Sequence, residues 1–170
     1  MLRRFLALFV PRPAVEQLLT VVPLPSGARP VPVDNVHLTL RWFGDAPFAA
    51  DELMSALAPL TGSGAVTLAI QGVKGFGPPR PGQPFAGVVE TSPALMTLAA
   101  RVDAAAATLG LPRRDQPFRP HVTLARLGRD TVTDQRATDC RFTVGTLCLV
   151  SSVLEAAGPR FTILERLSLV

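Results

Sequence analysis

The chain has no tyrosine, one lysine (Lys74), one tryptophan (Trp42), two cysteines and two histidines in 170 residues. Each scarcity removes a class of function. Cys140 and Cys148 lack Cys-x-x-Cys spacing and have no histidine cluster nearby, so neither a zinc site nor a disulfide framework is indicated. Both read as buried free thiols of a reducing compartment. Aromatic residues are 6% of the chain and no RNP-type aromatic motif occurs, which weighs against a module that holds single strands by stacking alone. There is no Gly-x-x-x-x-Gly-Lys phosphate loop, no Gly-x-Ser-x-Gly elbow and no His-Glu-x-x-His zinc motif. No apolar run approaches the roughly 20 residues of a membrane span. The stretch Phe5 to Val10 behind Arg3-Arg4 superficially resembles a signal peptide, but Pro11 and Pro13 cut it short and no cleavage site follows. A buried first strand and a cytoplasmic location are expected.

The chain is 48% hydrophobic, and that content over this length suits one ordinary domain or two small lobes sharing an interface. A net charge of +4 comes from seventeen basic residues of which all but Lys74 are arginine. The planar guanidinium fork suits phosphate, although an Arg-rich genome would give the same bias. Charge therefore points to an anionic ligand without choosing one.

Hydrophobic periodicity and turn residues divide the chain. Phe5 to Val10 reads as a strand and Ala14 to Val22 as a short helix behind the Pro11-Arg12-Pro13 breaker. A proline-rich connection leads to a strand over Val36 to Phe43, then a helix over Ala49 to Leu60 and a strand over Val66 to Val73. Gly72 to Pro84, with four prolines and four glycines, reads as a linker between halves. The second half repeats the order: a strand at Phe85 to Glu90, a helix capped by Ser92 and closed by Gly110, and a strand at His121 to Leu127. A polar stretch, Gly128 to Asp139, precedes strands at Phe142 to Val150 and Phe161 to Val170. The expected fold is α+β and bilobal, with two pseudo-twofold-related antiparallel-type sheets, outer helices and a central cleft. Residues 1–170 form a single two-lobed domain built on a duplicated strand-helix-strand-helix-strand unit.

The two histidines carry the strongest signal. His37-Leu38-Thr39-Leu40 and His121-Val122-Thr123-Leu124 share the pattern His-x-Thr-Leu at equivalent places in the two halves. Side chains alternate along a strand, so His37 and Thr39 share one face, His121 and Thr123 share the corresponding face, and the leucines point into the core. Arg41 is expected one step further along the polar face. Two imidazoles facing one substrate can serve as base and acid near neutrality. Two threonine hydroxyls beside them can hold the non-bridging oxygens of a phosphate. Without a third ligand at suitable spacing, the pair does not make a catalytic metal site.

These residues resemble the two-histidine (2H) phosphoesterase superfamily, in particular the 2'-5' RNA ligase family, whose members are also called RNA 2',3'-cyclic phosphodiesterases. Arg4 to Leu8 resembles the family's opening strand, Asn35 to Gly44 its first signature and Pro117 to Arg126 its second. Gly75-Phe76 and Gly158-Pro159-Arg160-Phe161 are similar to further family segments. The resemblance implies hydrolysis of a terminal 2',3'-cyclic phosphate to a 2'-phosphate, with no metal or other cofactor. It casts His37 as proton donor, His121 as proton acceptor, Thr39 and Thr123 as phosphate holders, Arg126 as a further positive charge and Phe5 as a surface for the terminal base. Val153, Phe161 and Gly82-Gln83-Pro84-Phe85 depart from the family pattern outside both signatures, where recognition rather than chemistry is set.

The expected partner is RNA bearing a 2',3'-cyclic phosphate end, bound by a monomer away from any membrane. Nucleotide cyclic phosphates are an alternative substrate, 2'-5' RNA ligation is the same reaction reversed, and a non-catalytic RNA-binding module is the alternative from another class. Arg113, Arg114, Arg119 and Arg129 surround the second motif and read either as guides for an RNA backbone or as solvated surface charge.

Overall fold

The computed structural model describes residues 2–129, 131, 133–156 and 158–170. Nine strands and three α-helices make up its regular structure, with two short 3-10 turns beside them. In chain order they are β1 (Arg3–Phe9), α1 (Arg12–Val21), β2 (Arg29–Pro30), β3 (His37–Gly44), α2 (Ala50–Leu57), β4 (Val66–Gly75), β5 (Pro84–Val89), α3 (Pro93–Thr108), β6 (His121–Arg126), β7 (Arg136–Val144), β8 (Thr146–Glu155) and β9 (Gly158–Ser168). The helix starts follow from the sequence. Pro13 lies in the first turn of α1, and the Ser92 hydroxyl accepts the Leu95 amide at 3.3 Å to cap α3. Replacing that cap by Ser92→Ala should cost about 1 kcal/mol, read as a lower urea midpoint.

The class is α+β, with an antiparallel sheet whose strand order is β7-β4-β5-β6-β3-β1-β8-β9, and β2 paired to β6. The order is symmetric about its middle. Four strands lie on either side of the β3–β6 contact, which consists of a single registered pair, Leu38 opposite Val122. Each of those residues directly follows a motif histidine. The half-sheets therefore meet at the motif strands, through that one pair.

Alternation assigns the faces. Leu38, Leu40, Val122 and Leu124 enter the main core with Leu95, Leu98 and Val102 of α3. On the other face, Phe5, Ala7, Cys148 and Val150 form a second, smaller core backed by Phe9, Phe161 and Ile163. β1 is thus covered on both sides, which is why Phe5 to Phe9 reads as an unbroken apolar run.

Three expectations change. Gly72 to Pro84 is not a linker between halves, because β4 and β5 pair antiparallel as a hairpin inside one half-sheet. Gly72 belongs to β4 and sits where a Cβ would lie 3.0 Å from the Arg136 carbonyl oxygen, so close strand approach explains that glycine. The main crossings between halves occur instead after β3, through α2, and at Gly145. Phe142 to Val150 is two strands, broken at Gly145, with β7 on the edge of one half and β8 inside the other. β7 also reaches back to Arg136, into the stretch expected to be irregular, since Ala137, Asp139, Arg141 and Thr143 alternate with less exposed residues as an edge strand allows. Asp130 and Val132 of that stretch lie outside the described residues. Cys140 and Cys148 are both buried and unpaired, and burial pushes both thiols above their ordinary range. Among the described residues no helix is long and apolar enough to cross a membrane.

Candidate functional site

β3 and β6 enter the sheet side by side at their histidines, and a cavity of about 830 Å³ opens beside them. His37, Thr39, His121 and Thr123 all line it, together with Phe5, Trp42, Arg29 and Arg126. The four motif side chains named from the sequence are thus brought to one space.

The two imidazoles are held alike. His37 Nδ1–H donates to the Asn35 carbonyl at 2.6 Å, and His121 Nδ1–H donates to the Arg119 carbonyl at 2.8 Å. A carbonyl oxygen can only accept, so Nδ1 keeps its proton and Nε2 is the nitrogen that titrates in each ring. The geometry comes from the chain two residues upstream of each histidine, where the strand begins.

Their surroundings differ. His37 stacks on Phe5 with ring centroids 5.0 Å apart and meets Phe161 edge-on at 5.3 Å. His121 stacks on Phe76 at 4.0 Å, with the Arg119 guanidinium 4.7 Å from the same ring on Phe76. Burial pushes both imidazoles below their ordinary value of 6.5. The backbone hydrogen bonds oppose that shift, while the charges of His121 and Arg126 deepen it at His37, and those of Arg119 and Arg126 deepen it at His121.

Beyond the threonines the strict alternation breaks in both motif strands, at the same step. Leu6 faces Arg41 but Ala7 faces Thr39, and Phe85 faces Ala125 but Ala86 faces Thr123. One extra residue, Leu40 in β3 and Leu124 in β6, is inserted as a β-bulge. The residue five places after each histidine, rather than four, then returns to the cavity face. Those residues are Trp42 and Arg126.

The bulge corrects the expectation for Arg41. Its side chain turns to the helix side, is 5% exposed, and donates through Nη1 to Asp103 of α3 at 3.1 Å and through Nη2 to the Pro112 carbonyl. Arg114 completes the same network, Nε to Asp103 at 2.7 Å and Nη2 to the Leu40 carbonyl. Of the arginines around the second motif, Arg114 is engaged there and Arg119 lies over Phe76, while Arg113 and Arg129 are exposed away from the cavity lining. The cations that do line it are Arg3, Arg29 and Arg126. Arg29 stands opposite Arg126 in the β2–β6 pair, and the two hold no ion pair with an acidic side chain among the described residues. Burial, then the charges of Arg29 and Arg80, push the Arg126 guanidinium below its ordinary range. Guanidiniums so crowded favour an anion between them.

Phe5 lines the cavity but is 1% exposed, with Trp42 stacked on it at 5.5 Å and His37 at 5.0 Å. It supports the first histidine and offers little open face to a base. Trp42 is 51% exposed, and its residue type alone does not single it out. The signal lies in the spacing, since Trp42 and Arg126 are equally far from their histidines. No group of three His, Cys, Asp or Glu side chains among the described residues is arranged to hold a metal. The converging groups suit paired proton transfers at an anionic centre.

Comparison with known proteins agrees in sequence and in shape. Residues 14–154 match the model of the 2'-5' RNA ligase superfamily. An RNA 2',3'-cyclic phosphodiesterase of Thermus thermophilus is 30% identical over 99% of this chain and 90% of its own. Its Escherichia coli namesake is 28% identical over 98% and 96%. A crystal structure of a Thermus thermophilus protein superposes with a TM-score of 0.81 at 28% identity, covering 98% of this chain and 97% of the other. Escherichia coli LigT crystallised with 3'-AMP gives 0.74 at 26% identity, covering 98% and 97%.

Proposed function

The chain belongs to the 2'-5' RNA ligase superfamily, and from that premise we propose that it is a metal-independent phosphodiesterase that opens terminal RNA 2',3'-cyclic phosphates to 2'-phosphates. The observation that carries this reading is the pair of His-x-Thr motifs on adjoining strands, lining one cavity with both Nδ1 atoms tied to backbone carbonyls. Residues 1–170 act as one two-lobed unit, since each half-sheet supplies one histidine to that cavity. A single chain completes the site, so a monomer suffices. Two unpaired buried thiols suit a reducing cytoplasm.

The asymmetry of the site supports the division of labour. His121 lies near two guanidiniums, Arg119 and Arg126, which favour its neutral form. Neutral Nε2 takes a proton from water as the water oxygen attacks phosphorus. His37 feels one guanidinium, Arg126, where His121 feels two, so His37 is assigned the proton of the pair. Protonated Nε2 gives its proton to the 3'-oxygen as the P–O3' bond breaks. The products are a 2'-phosphate and a 3'-hydroxyl. The proton gained by His121 returns through solvent to His37, restoring both. Thr39 and Thr123 donate their hydroxyls to the non-bridging oxygens, and Arg126 adds charge as negative charge builds on them.

The test is a short RNA ending in a 2',3'-cyclic phosphate, incubated in chelator with wild type, His37→Ala and His121→Ala protein, with the product's phosphate position assigned by NMR. A 2'-phosphate from wild type alone is expected. An untouched end would overturn the reading.

The pH profile follows from the imidazole shifts. Activity of the free enzyme needs His37 protonated and His121 neutral, so it falls as pH rises through the lowered His37 value and falls as pH drops through the lowered His121 value. The optimum of kcat/KM is therefore expected on the acid side of 6.5. A bound phosphate anion favours the imidazolium, so the alkaline limb of kcat should lie above that of kcat/KM. Rates measured from about pH 4 to about pH 9 check both; a kcat/KM optimum at or above about pH 8 would contradict this site.

A further inference from the structure

We propose that Phe76, the first residue after β4, is a positioning residue for His121, holding the imidazole and the Arg119 guanidinium against one ring. The inference rests on the phosphodiesterase reading for the role of His121, but its first test needs no turnover.

Phe76 serves neither the core nor the cavity. It belongs to neither hydrophobic cluster of the described residues, and it is not among the side chains that line the cavity. Its ring lies instead on His121, with centroids 4.0 Å apart and planes within 18° of parallel, and Arg119 places its guanidinium 4.7 Å from the same ring. The backbone keeps it there. Phe76 N–H donates to the Pro84 carbonyl at 2.8 Å, which ties the start of the β4–β5 connection to its end. That end is fastened to the strand of the histidine, since Gly82 N–H donates to the Leu127 carbonyl at 2.9 Å and Leu127 N–H to the Gln83 carbonyl at 2.8 Å. The connection therefore moves with β6.

The two imidazoles differ in how many rings restrain them. Each is held by one hydrogen bond through Nδ1, and one bond leaves a ring free to swing about it. Phe5, Phe9 and Phe161 oppose that swing at His37. Among the described residues, only the Phe76 ring does so at His121. Proton transfer tolerates little displacement, and a misplacement of about 1 Å can cost about 10²-fold in rate. Phe76 also shields one side of the imidazole from water and keeps a guanidinium beside it. Burial, then that charge, favours the neutral form a base needs.

The chain has two histidines, so ring-nitrogen NMR can follow each titration without substrate. In Phe76→Ala the His121 pKa is expected to rise towards its ordinary value, while that of His37 holds. The charged groups acting on His121 are Arg119 and Arg126, with His37 across the site, and β5, which pairs with it at Val88, carries none. Arg119→Ala keeps the carbonyl that holds Nδ1 and removes the charge alone, so it should move His121 in the same direction by less. In steady state, Phe76→Ala is expected to lower kcat by roughly 10- to 100-fold with KM little changed, and to move the acid limb of kcat/KM to higher pH. Phe76→Tyr keeps a flat ring and should restore both, whereas Phe76→Leu keeps apolar bulk without one and should not. A wild-type His121 titration in Phe76→Ala, or equal recovery by Phe76→Leu, would overturn the proposal. So would a raised KM at unchanged kcat, which would make Phe76 a substrate contact. A wild type that opens no cyclic phosphate, but whose His121 titration is shifted by Phe76→Ala and restored by Phe76→Tyr, would keep the positioning role and refute the phosphodiesterase reading.

Discussion

His121→Ala is expected to lower kcat/KM on a cyclic-phosphate RNA end by about 10² to 10⁴, the range for loss of a positioned general base or acid. His37→Ala should fall by a comparable factor. Each ring makes one hydrogen bond, to a carbonyl at the strand start, and the unfolding midpoint should fall more for His37→Ala, whose ring packs on Phe5, Phe9 and Phe161, than for His121→Ala, whose ring stacks on Phe76 alone. The double variant should fall little further than either single one, since two groups that act on one transition state are not additive. The two losses differ in kind. Without His121 the attacking water is not deprotonated, so a stronger external nucleophile or imidazole in the buffer should restore part of the rate. Without His37 the departing oxygen is unprotonated, so a substrate with a better leaving group should be the less impaired one. Rate measurements with the two variants on both substrates check this. Equal loss on both substrates for His37→Ala would remove its assignment as the acid.

The shared placement of the four motif side chains was legible in the sequence because it depends on local spacing. Period-two alternation puts His37 with Thr39 and His121 with Thr123, and no long-range contact is needed to predict it. The same rule failed at the next step. Alternation carried to Arg41 predicts a cavity side chain, whereas the bulge at Leu40 sends Arg41 into the helix layer and brings Trp42 out. A bulge has no fixed residue signature here, since neither inserted leucine is a glycine. Only the equal spacing of Trp42 and Arg126 from their histidines hints at it. The linker reading of Gly72 to Pro84 failed for a related reason. Gly and Pro mark a turn but do not say whether the strands it joins share a half-sheet, and the β4–β5 pairing is set by neighbours far along the chain. Phe5 was legible as an aromatic near the site. Its depth was not, because burial there depends on β8 and β9 returning from the far end of the chain to cover it.

The largest effect on stability is expected at Asp103, a residue with no part in the chemistry. Among the described residues it is the one carboxylate that faces both Arg41 and Arg114. The Arg41 side chain is 5% exposed, and its Nε already lacks a partner among the described residues. Asp103→Ala would leave that guanidinium buried without a counter-charge. Breaking a buried pair by removing one partner costs about 3–5 kcal/mol, and Asp103 is itself 35% exposed, so water relieves part of this. A loss of about 3 kcal/mol is expected, which for a chain of this size lowers Tm by about 6–12 °C. Asp139, whose pairing with Arg141 lies in solvent, is the control, and Asp139→Ala should shift stability by less than about 0.5 kcal/mol. The mechanism is separable from mere loss of contacts by adding Arg41→Met. If the cost lies in the stranded charge, the Arg41→Met/Asp103→Ala protein should be more stable than Asp103→Ala alone. If the two changes simply add, the charge argument is wrong. The same variant also reaches the site, because the Arg114 that Asp103 orients donates to the Leu40 carbonyl at the bulge. Loosening that carbonyl frees Trp42 before it frees His37, so KM of the Asp103→Ala protein should rise while the pH optimum of kcat/KM holds.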